Sequence, residues 1–247
     1  DLAALERELA QGDVACVLAE PVMTNVGMVL PEPGFLQALR RLTHAAGTLL
    51  AIDETHTLSS GLGGYARQQG LAADFLVCGK AVAGGVPCAV YGFTAEVEAA
   101  LRRVWRERAS GHSGLGTTLS ANLLALAALE ATLVELMTPA AYAHMERLAF
   151  GLEQGLQSLI AARAIGWHVV RVGARLEIGY GAAAPRNAAE AEAAMRPGLE
   201  HALHLYLLNR GVLLTPFHNM MLLSPATRDA GVELLLAVLD AALAELC

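Results

Sequence analysis

Residues 49–85 read LLAIDETHTLSSGLGGYARQQGLAADFLVCGKAVAGG, and this stretch decides the fold. It holds two short apolar runs, 49–53 and 75–79, on either side of a glycine-containing turn. Such runs are typical of strands buried in a parallel sheet. The acidic pair Asp53 and Glu54 closes the first run, and Lys80 follows the second. Because ligands of parallel sheets bind beyond the carboxyl ends of the strands, these side chains are candidates for a functional site.

Lys80 is the only lysine among the 17 basic residues of the chain. Lysine, unlike arginine, can lose its proton near neutral pH and attack a carbonyl group. The alternative is that one lysine survived by chance in an arginine-biased genome. The residues that flank Lys80 favour the chemical role.

Composition sets limits on the class of protein. The chain has 247 residues, 55% of them apolar, which fits a packed globular protein. A net charge of −7 with no basic block argues against a nucleic-acid partner, and no apolar run is long enough to predict a membrane span. The four cysteines lack C-x-x-C spacing, so we expect no metal site and a cytoplasmic location. Since the chain opens on Asp1 rather than methionine, we expect it to be part of a longer protein.

Strands and helices alternate along the first part of the chain, which predicts a mostly parallel sheet with right-handed crossovers. The apolar runs at 14–21, 48–53, 75–79 and 88–93 are its predicted strands. The hydrophobic pattern changes near Gly166. After it, two runs of alternating apolar and polar residues flank Gly173, as in an antiparallel hairpin. Further strands are predicted at 212–215 and 220–224. We therefore predict an α/β protein with a large domain over 1–160 and a small α+β domain over 161–247.

The order and spacing of six stretches resemble the class III aminotransferases, which are pyridoxal-phosphate enzymes of fold type I and include glutamate-1-semialdehyde aminomutase. The stretches are AEPVMTNVG (19–27), GFLQALRRLTHAAGTLLAIDE (34–54), GLGGY (61–65), GKAVAGGVP (79–87), GTTLSANLLALAA (116–128) and RGVLLTPFHNMMLLSPAT (210–227). The resemblance covers nearly the whole chain. Aligned with these enzymes, the chain is expected to lack the amino-terminal part of the family fold, including the phosphate-binding glycine loop.

The resemblance implies pyridoxal 5′-phosphate as the cofactor and gives roles to four residues. Lys80 would form the Schiff base and move a proton, and Asp53 would pair with the protonated ring nitrogen. Asn25 would bond the phenolic oxygen of the ring, and Thr55 would pack on the ring face where the family usually has Val or Ile. From the residues alone, Asp53 and Asn25 could equally be ordinary turn residues.

The resemblance also implies a homodimer whose subunits share their sites. Thr117 or Thr118 would reach the phosphate in the neighbouring subunit, because this chain has Thr-Thr where relatives have Gly-Thr. Thr118 could instead be a helix N-cap, and the two roles are compatible. Glu20 is expected beside the cofactor as a supporting carboxylate.

Three further residues are candidates for contact with the substrate: His56, His218 and Arg175. An arginine can pair with a carboxylate through two hydrogen bonds. The predicted function is amino transfer from an amino acid or similar amine to a keto acid or aldehyde. A semialdehyde aminomutase is the alternative, although the glutamate that such aminomutases carry is absent from 218–220. A non-catalytic fragment or pseudoenzyme is the second alternative.

Overall fold

The computed structural model describes residues 1–108, 116, 118–216 and 218–246. The chain divides into two compact units. The first unit comprises Asp1–Pro21, Pro33–Leu58 and Gly63–Met137, and the second comprises Val22–Glu32, Ser59–Leu62 and Thr138–Cys247. Two short segments from the first half of the sequence therefore belong to the second unit.

The first unit is built on a four-stranded sheet in the order β1-β2-β3-β4. Its strands are β1 (Cys16–Ala19), β2 (Leu49–Asp53), β3 (Phe75–Cys78) and β4 (Val90–Phe93). Its α-helices are α1 (Leu2–Leu9), α2 (Phe35–Ala45), α3 (Gly64–Gln68), α4 (Ala95–Glu107) and α5 (Leu123–Ala131). Shorter helical turns are the 3₁₀ turns Leu58–Ser60, whose last two residues belong to the second unit, and Lys80–Ala83, and the π-helical turn Thr132–Leu136.

Strands β1, β2 and β3 are parallel to one another, and β4 runs antiparallel to β3. Helix α2 covers the sheet, because the apolar side chains along one side of this helix pack on β2. Leu36 and Leu39 of α2 pack with Leu50 and Ile52 of β2, and these four side chains are almost fully buried. The buried strand predicted at 48–53 is therefore confirmed as β2, and the strand pairing confirms the mostly parallel sheet.

The second unit is an α+β structure. Its sheet, in the order β5-β6-β7, consists of the antiparallel strands β5 (His168–Val172), β6 (Arg175–Gly179) and β7 (Met221–Leu222). Its helices are α6 (Pro139–Ala162), α7 (Ala188–Ala194), α8 (Pro197–Leu208) and α9 (Asp229–Leu246). Buried side chains from α6, α8, α9 and the sheet form one core, which includes Leu152, Leu156, Leu176, Leu207 and Leu243.

The hairpin predicted around Gly173 is confirmed, and its tight turn has a physical requirement. Gly173 has a φ of +56°, and a Cβ there would lie 2.2 Å from Cα of Ser60. Ala174 N also donates a hydrogen bond to Ser59 O, so segment 59–62 packs against this turn. The turn therefore admits only glycine without rearrangement.

Two details differ from the sequence-based expectations. The strand predicted at 212–215 is wrong: these residues form no strand, and Val212 and Leu214 pack in the core of the second unit instead. The long helix α6 belongs to the second unit, since its buried face packs in the core of that unit. The units accordingly divide between Met137 and Thr138, whereas the predicted domain boundary lies at 160/161.

None of the described helices is by itself long and apolar enough to cross a membrane. Among the described residues, only Leu123–Leu136 and Pro139–Ala162, taken together as a pair, meet that criterion of length and composition.

Candidate active site

The carboxyl edge of the parallel strands gathers three of the predicted site residues in the first unit. Glu20 follows β1, Asp53 is the last residue of β2, and Lys80 stands two residues beyond the end of β3. Because the three strands are parallel, their carboxyl ends lie along one edge of the sheet. The placement predicted from strand-end positions is therefore confirmed for these residues.

The turn after β2 is fixed by its own hydrogen bonds. Thr55 N donates to Oδ1 of Asp53 at 2.8 Å, which holds the carboxylate at the strand end. Thr57 N and Leu58 N both donate to Glu54 O, at 3.0 and 2.8 Å. Glu54 N still donates to Val77 O at 2.7 Å, so the turn begins inside the sheet. Asp53 and the residues after it consequently have one defined backbone conformation.

Glu54 ties this turn to the start of α3. Its side chain is fully buried and accepts hydrogen bonds from Tyr65 N, Ala66 N and the hydroxyl of Thr57. Gly64 has no side chain, and a Cβ there would lie 2.7 Å from the Glu54 carboxyl group. These contacts hold the turn after β2 against the first turn of α3.

Lys80 occupies an unusual backbone conformation. Its φ is +50°, in the left-handed region, which costs a residue with a Cβ about 1–2 kcal/mol. The 3₁₀ turn that it begins is anchored by Val82 and Ala83, which are buried and pack with Ala128 and Leu129 of α5. Strain of this kind persists only where the surrounding structure enforces it, and such strain clusters at functional sites.

The turn after β2 meets the residues after β3 at two successive positions. A Cβ at Gly79 would lie 3.4 Å from Oγ1 of Thr55, so the Thr55 side chain packs against the Gly79 backbone. One residue further on, Nζ of Lys80 is in hydrogen-bonding contact with Nε2 of His56. The structure thus brings His56 to Lys80, a contact that sequence spacing alone did not predict.

The electrostatic field at this edge is negative. Burial, together with smaller contributions from the nearby carboxylates of Glu54 and Asp53, raises the pKa of the Cys78 thiol to about 11. Cys78 is the last residue of β3. A negative field at the strand ends favours a cationic group placed there, such as a lysine ammonium or a protonated ring nitrogen.

The predicted residues Asn25 and His218 belong to the second unit. Asn25 lies in a loop whose ends are joined by backbone hydrogen bonds between Met23 and Val29. His218 Nε2 is 3.1 Å from Asn25 O, so residues 193 positions apart in the sequence are neighbours. The roles of Asn25 with the cofactor and of His218 with the substrate stay predictions.

Arg175 is buried in the second unit, with 3% of its side chain exposed. Its guanidinium donates to Oε1 of Glu177 and to Thr24 O, each at 3.1 Å, and also contacts Sδ of Met220. The predicted clamp on a substrate carboxylate stays a prediction. All three of these contacts are made by Nη2, whereas Nε is buried and has no hydrogen-bond partner among the described residues.

Burial governs the ionisation of the residues around Arg175. It raises the pKa of Glu177 to about 7 in spite of the adjacent Arg175, and it raises the pKa of Tyr180 to about 12. The hydroxyl of Tyr180 accepts a hydrogen bond from Nδ2 of Asn219 at 3.0 Å. Asn219 also donates to Glu200 O at 3.2 Å. Sequence reasoning missed this network, because no local pattern joins residues of β6, α8 and the loop before β7.

Of the two threonines predicted to reach a phosphate, Thr118 is exposed in the described structure, and Thr117 lies outside the described residues. Asn122 caps α5 by accepting a hydrogen bond from Ala125 N at 2.9 Å. The alternative role of Thr118 as the cap of this helix is therefore wrong, because Asn122 has that position.

The architecture of the first unit, with a lysine and an aspartate at the carboxyl edge of its parallel strands, is that of the fold type I pyridoxal-phosphate enzymes. The family model of the class-III aminotransferases matches residues 1–243, and the chain belongs to this family.

Among its relatives are two proteins named glutamate-1-semialdehyde 2,1-aminomutase. That of Bacillus cereus (strain B4264) is 36% identical over 242 residues, covering 95% of this chain and 53% of the relative. That of Anaeromyxobacter sp. (strain Fw109-5) is 37% identical over 251 residues, covering 99% and 56%. The chain thus spans about half the length of the curated relatives that it matches.

Solved structures of similar proteins agree with the family assignment. A glutamate-1-semialdehyde aminomutase from Pseudomonas aeruginosa PAO1 superimposes with a TM-score of 0.93 at 50% identity, covering all of this chain and 55% of the other. A variant of that enzyme was solved in complex with PMP. A β-phenylalanine aminotransferase from Variovorax paradoxus gives a TM-score of 0.87 at 26% identity, covering 99% and 56%.

Proposed function

We propose that this chain is the lysine-bearing part of a pyridoxal 5′-phosphate-dependent aminotransferase that acts on an amino acid or a similar amine. The observation that carries the proposal is the position of Lys80. The only lysine of the chain stands at the carboxyl edge of the parallel sheet, one strand away from Asp53. Family membership supports this choice among the chemistries that a lone lysine could perform.

The residues at this edge fit the cofactor. An aldehyde requires a primary amine as its partner, and Lys80 provides one. A protonated pyridine nitrogen requires a carboxylate, and Asp53 provides one that is held in place by Thr55 N. Gly79 has no side chain where the backbone meets Thr55, and the negative field at the ends of β2 and β3 suits a cationic ring.

Each residue then has a defined task. Pyridoxal phosphate supplies an aldehyde that captures amino groups and a ring that withdraws electrons from the adjacent carbon. Lys80 binds the cofactor through Nζ and, when that nitrogen is free and neutral, accepts and returns a proton. Asp53 keeps the ring nitrogen protonated through its negative charge. Thr55 contributes packing on the ring face, and Glu20 supports the strand ends.

We further propose that the protein works as a homodimer. The region around α5 exposes large apolar side chains: Leu119, Leu123 and Leu124 are 78%, 83% and 71% exposed. Apolar surface of this extent is typical of an interface. A second copy of the chain would cover it and would place Thr118, with Thr117, near the phosphate of its neighbour. The cytoplasmic location stays a prediction.

An aminomutase is the second candidate, favoured by the names of the relatives at 36–37% identity and of the Pseudomonas structure. Residues 218–220, His-Asn-Met, carry no carboxylate, which is the reason for placing amino transfer first. An aminomutase moves the amino group within one molecule and needs no acceptor. Turnover of glutamate-1-semialdehyde without any keto acid would therefore favour it, and a strict need for an acceptor would favour amino transfer.

The decisive experiment uses borohydride, which converts a reversible bond between the cofactor and a lysine into a permanent one. The protein is incubated with pyridoxal phosphate, reduced, digested and mapped by mass spectrometry. We expect one labelled side chain, Lys80, in the peptide that contains LVCGK. Lys80→Arg, the matched control, keeps the charge but should take no label, because a guanidinium stays protonated. A wild-type protein without label at Lys80 would refute the enzymatic function and leave the scaffold alternative.

A further inference from the structure

His56 and Lys80 are brought together by backbone geometry and not by flexible side chains alone. The His56 backbone lies in the turn closed by Thr57 N and Leu58 N on Glu54 O. The Lys80 backbone is held in its left-handed conformation at the start of an anchored 3₁₀ turn. The Thr55–Gly79 contact, one residue earlier in both segments, fixes the separation of the two backbones.

The chemistry of the pair decides which atom donates the hydrogen bond. A lysine ammonium has three N–H donors and no acceptor, whereas a neutral imidazole has one acceptor nitrogen. Nζ therefore donates the hydrogen bond to Nε2 of His56. A hydrogen bond from a cation to a neutral acceptor is charge-assisted, and it is stronger than one between two neutral groups.

We infer that His56 is a positioning residue that holds the Lys80 ammonium at the sheet edge until the amine is needed. The inference rests on the proposed function for the reaction that the amine serves. It assigns His56 a role toward Lys80, which differs from the substrate contact predicted from the sequence. It also implies that Nζ must leave His56 before it can act as a nucleophile.

The role of His56 predicts the direction in which its removal changes the reaction rate of Lys80. Removing the acceptor should release Nζ from its hydrogen bond, so that Lys80 reacts faster with an electrophile. A residue that acted as a base toward Lys80 would have the opposite effect when removed. Glutamine, whose side-chain carbonyl also accepts a hydrogen bond, should restore the slow reaction.

The test measures acetylation of Lys80 by sulfosuccinimidyl acetate at pH 8, followed by peptide mass spectrometry. With a single lysine in the chain, the mapped peptide reports one side chain. We expect His56→Ala to react about threefold faster than wild type, because a charge-assisted hydrogen bond no longer holds Nζ. We expect His56→Gln to react at nearly the wild-type rate. His201→Ala removes an exposed histidine of the second unit and should change nothing.

An unchanged or slower reaction of His56→Ala would overturn the inference, and so would a glutamine variant as fast as the alanine variant. Circular dichroism checks that each variant folds, and His56→Leu takes the place of the alanine variant if that one does not. Acetylation requires no cofactor. If the wild-type protein took no pyridoxal phosphate at Lys80 while the variants reacted in the expected order, the proposed function would be wrong and the hold of His56 on Lys80 would stand.

Discussion

Glu54→Gln provides a sharp test of how the strand end is held. The carboxylate is fully buried, and its three hydrogen-bond partners are all donors. Oε1 accepts from Ala66 N, and Oε2 accepts from Tyr65 N and from the hydroxyl of Thr57. An amide has only one oxygen. In either orientation its NH₂ group faces a backbone N–H, although the Thr57 hydroxyl can rotate to accept.

The expected loss follows from this count. One buried backbone donor without an acceptor costs about 1–3 kcal/mol, so Glu54→Gln should lower the free energy of unfolding by that amount. Glu54→Ala leaves all three donors without their acceptor and also creates a cavity, for a loss of about 3–5 kcal/mol. Urea unfolding followed by circular dichroism measures both losses. Amide hydrogen exchange at Tyr65 and Ala66 shows whether the loss is local.

Glu98→Gln is the matched control. Glu98 is 46% exposed and pairs with Arg102 one helical turn away. Its replacement should change the free energy of unfolding by less than about 0.5 kcal/mol. A Glu54→Gln variant as stable as this control, with unchanged exchange at both amides, would refute the proposed anchoring.

Two further predictions concern residues of the second unit. Gly173→Ala should lower the free energy of unfolding, measured in urea, by more than about 3 kcal/mol, because its Cβ would meet the Ser60 backbone. The control is Gly12→Ala, which is also at positive φ but in open space and should cost only about 1 kcal/mol; equal losses for the two variants would contradict the packing of the Gly173 turn. The raised pKa of Glu177 means that the folded state binds its proton more tightly than the unfolded state, so wild-type stability should fall relative to Glu177→Gln as pH rises from 4.5 to about 7, and parallel stability curves would contradict this.

The positions of the chemical groups along the chain could be predicted from the sequence. Short apolar runs that end in turns locate buried strands, and parallel strands present their carboxyl ends together. This rule predicts that Asp53 and Lys80 lie at the same edge of the sheet. The single lysine and the spacing of the motifs then indicated the family. These features are local, because a strand, a turn and a residue type are each specified within a few positions.

The partners of these groups could not be predicted. The contact of Lys80 with His56, and the hydrogen bond from Arg175 to Thr24 O, depend on which segments the packing brings together. The same applies to α6, whose helical pattern is clear but whose unit is set by the core that buries it. The apolar run 212–215 resembles a strand and is not one, since its apolar side chains Val212 and Leu214 pack in the core without strand pairing. The sequence determined which residues stand at the strand ends, and the tertiary structure decided which side chains meet there, because hydrogen-bond partners depend on distances that residues far apart in the chain acquire only on folding.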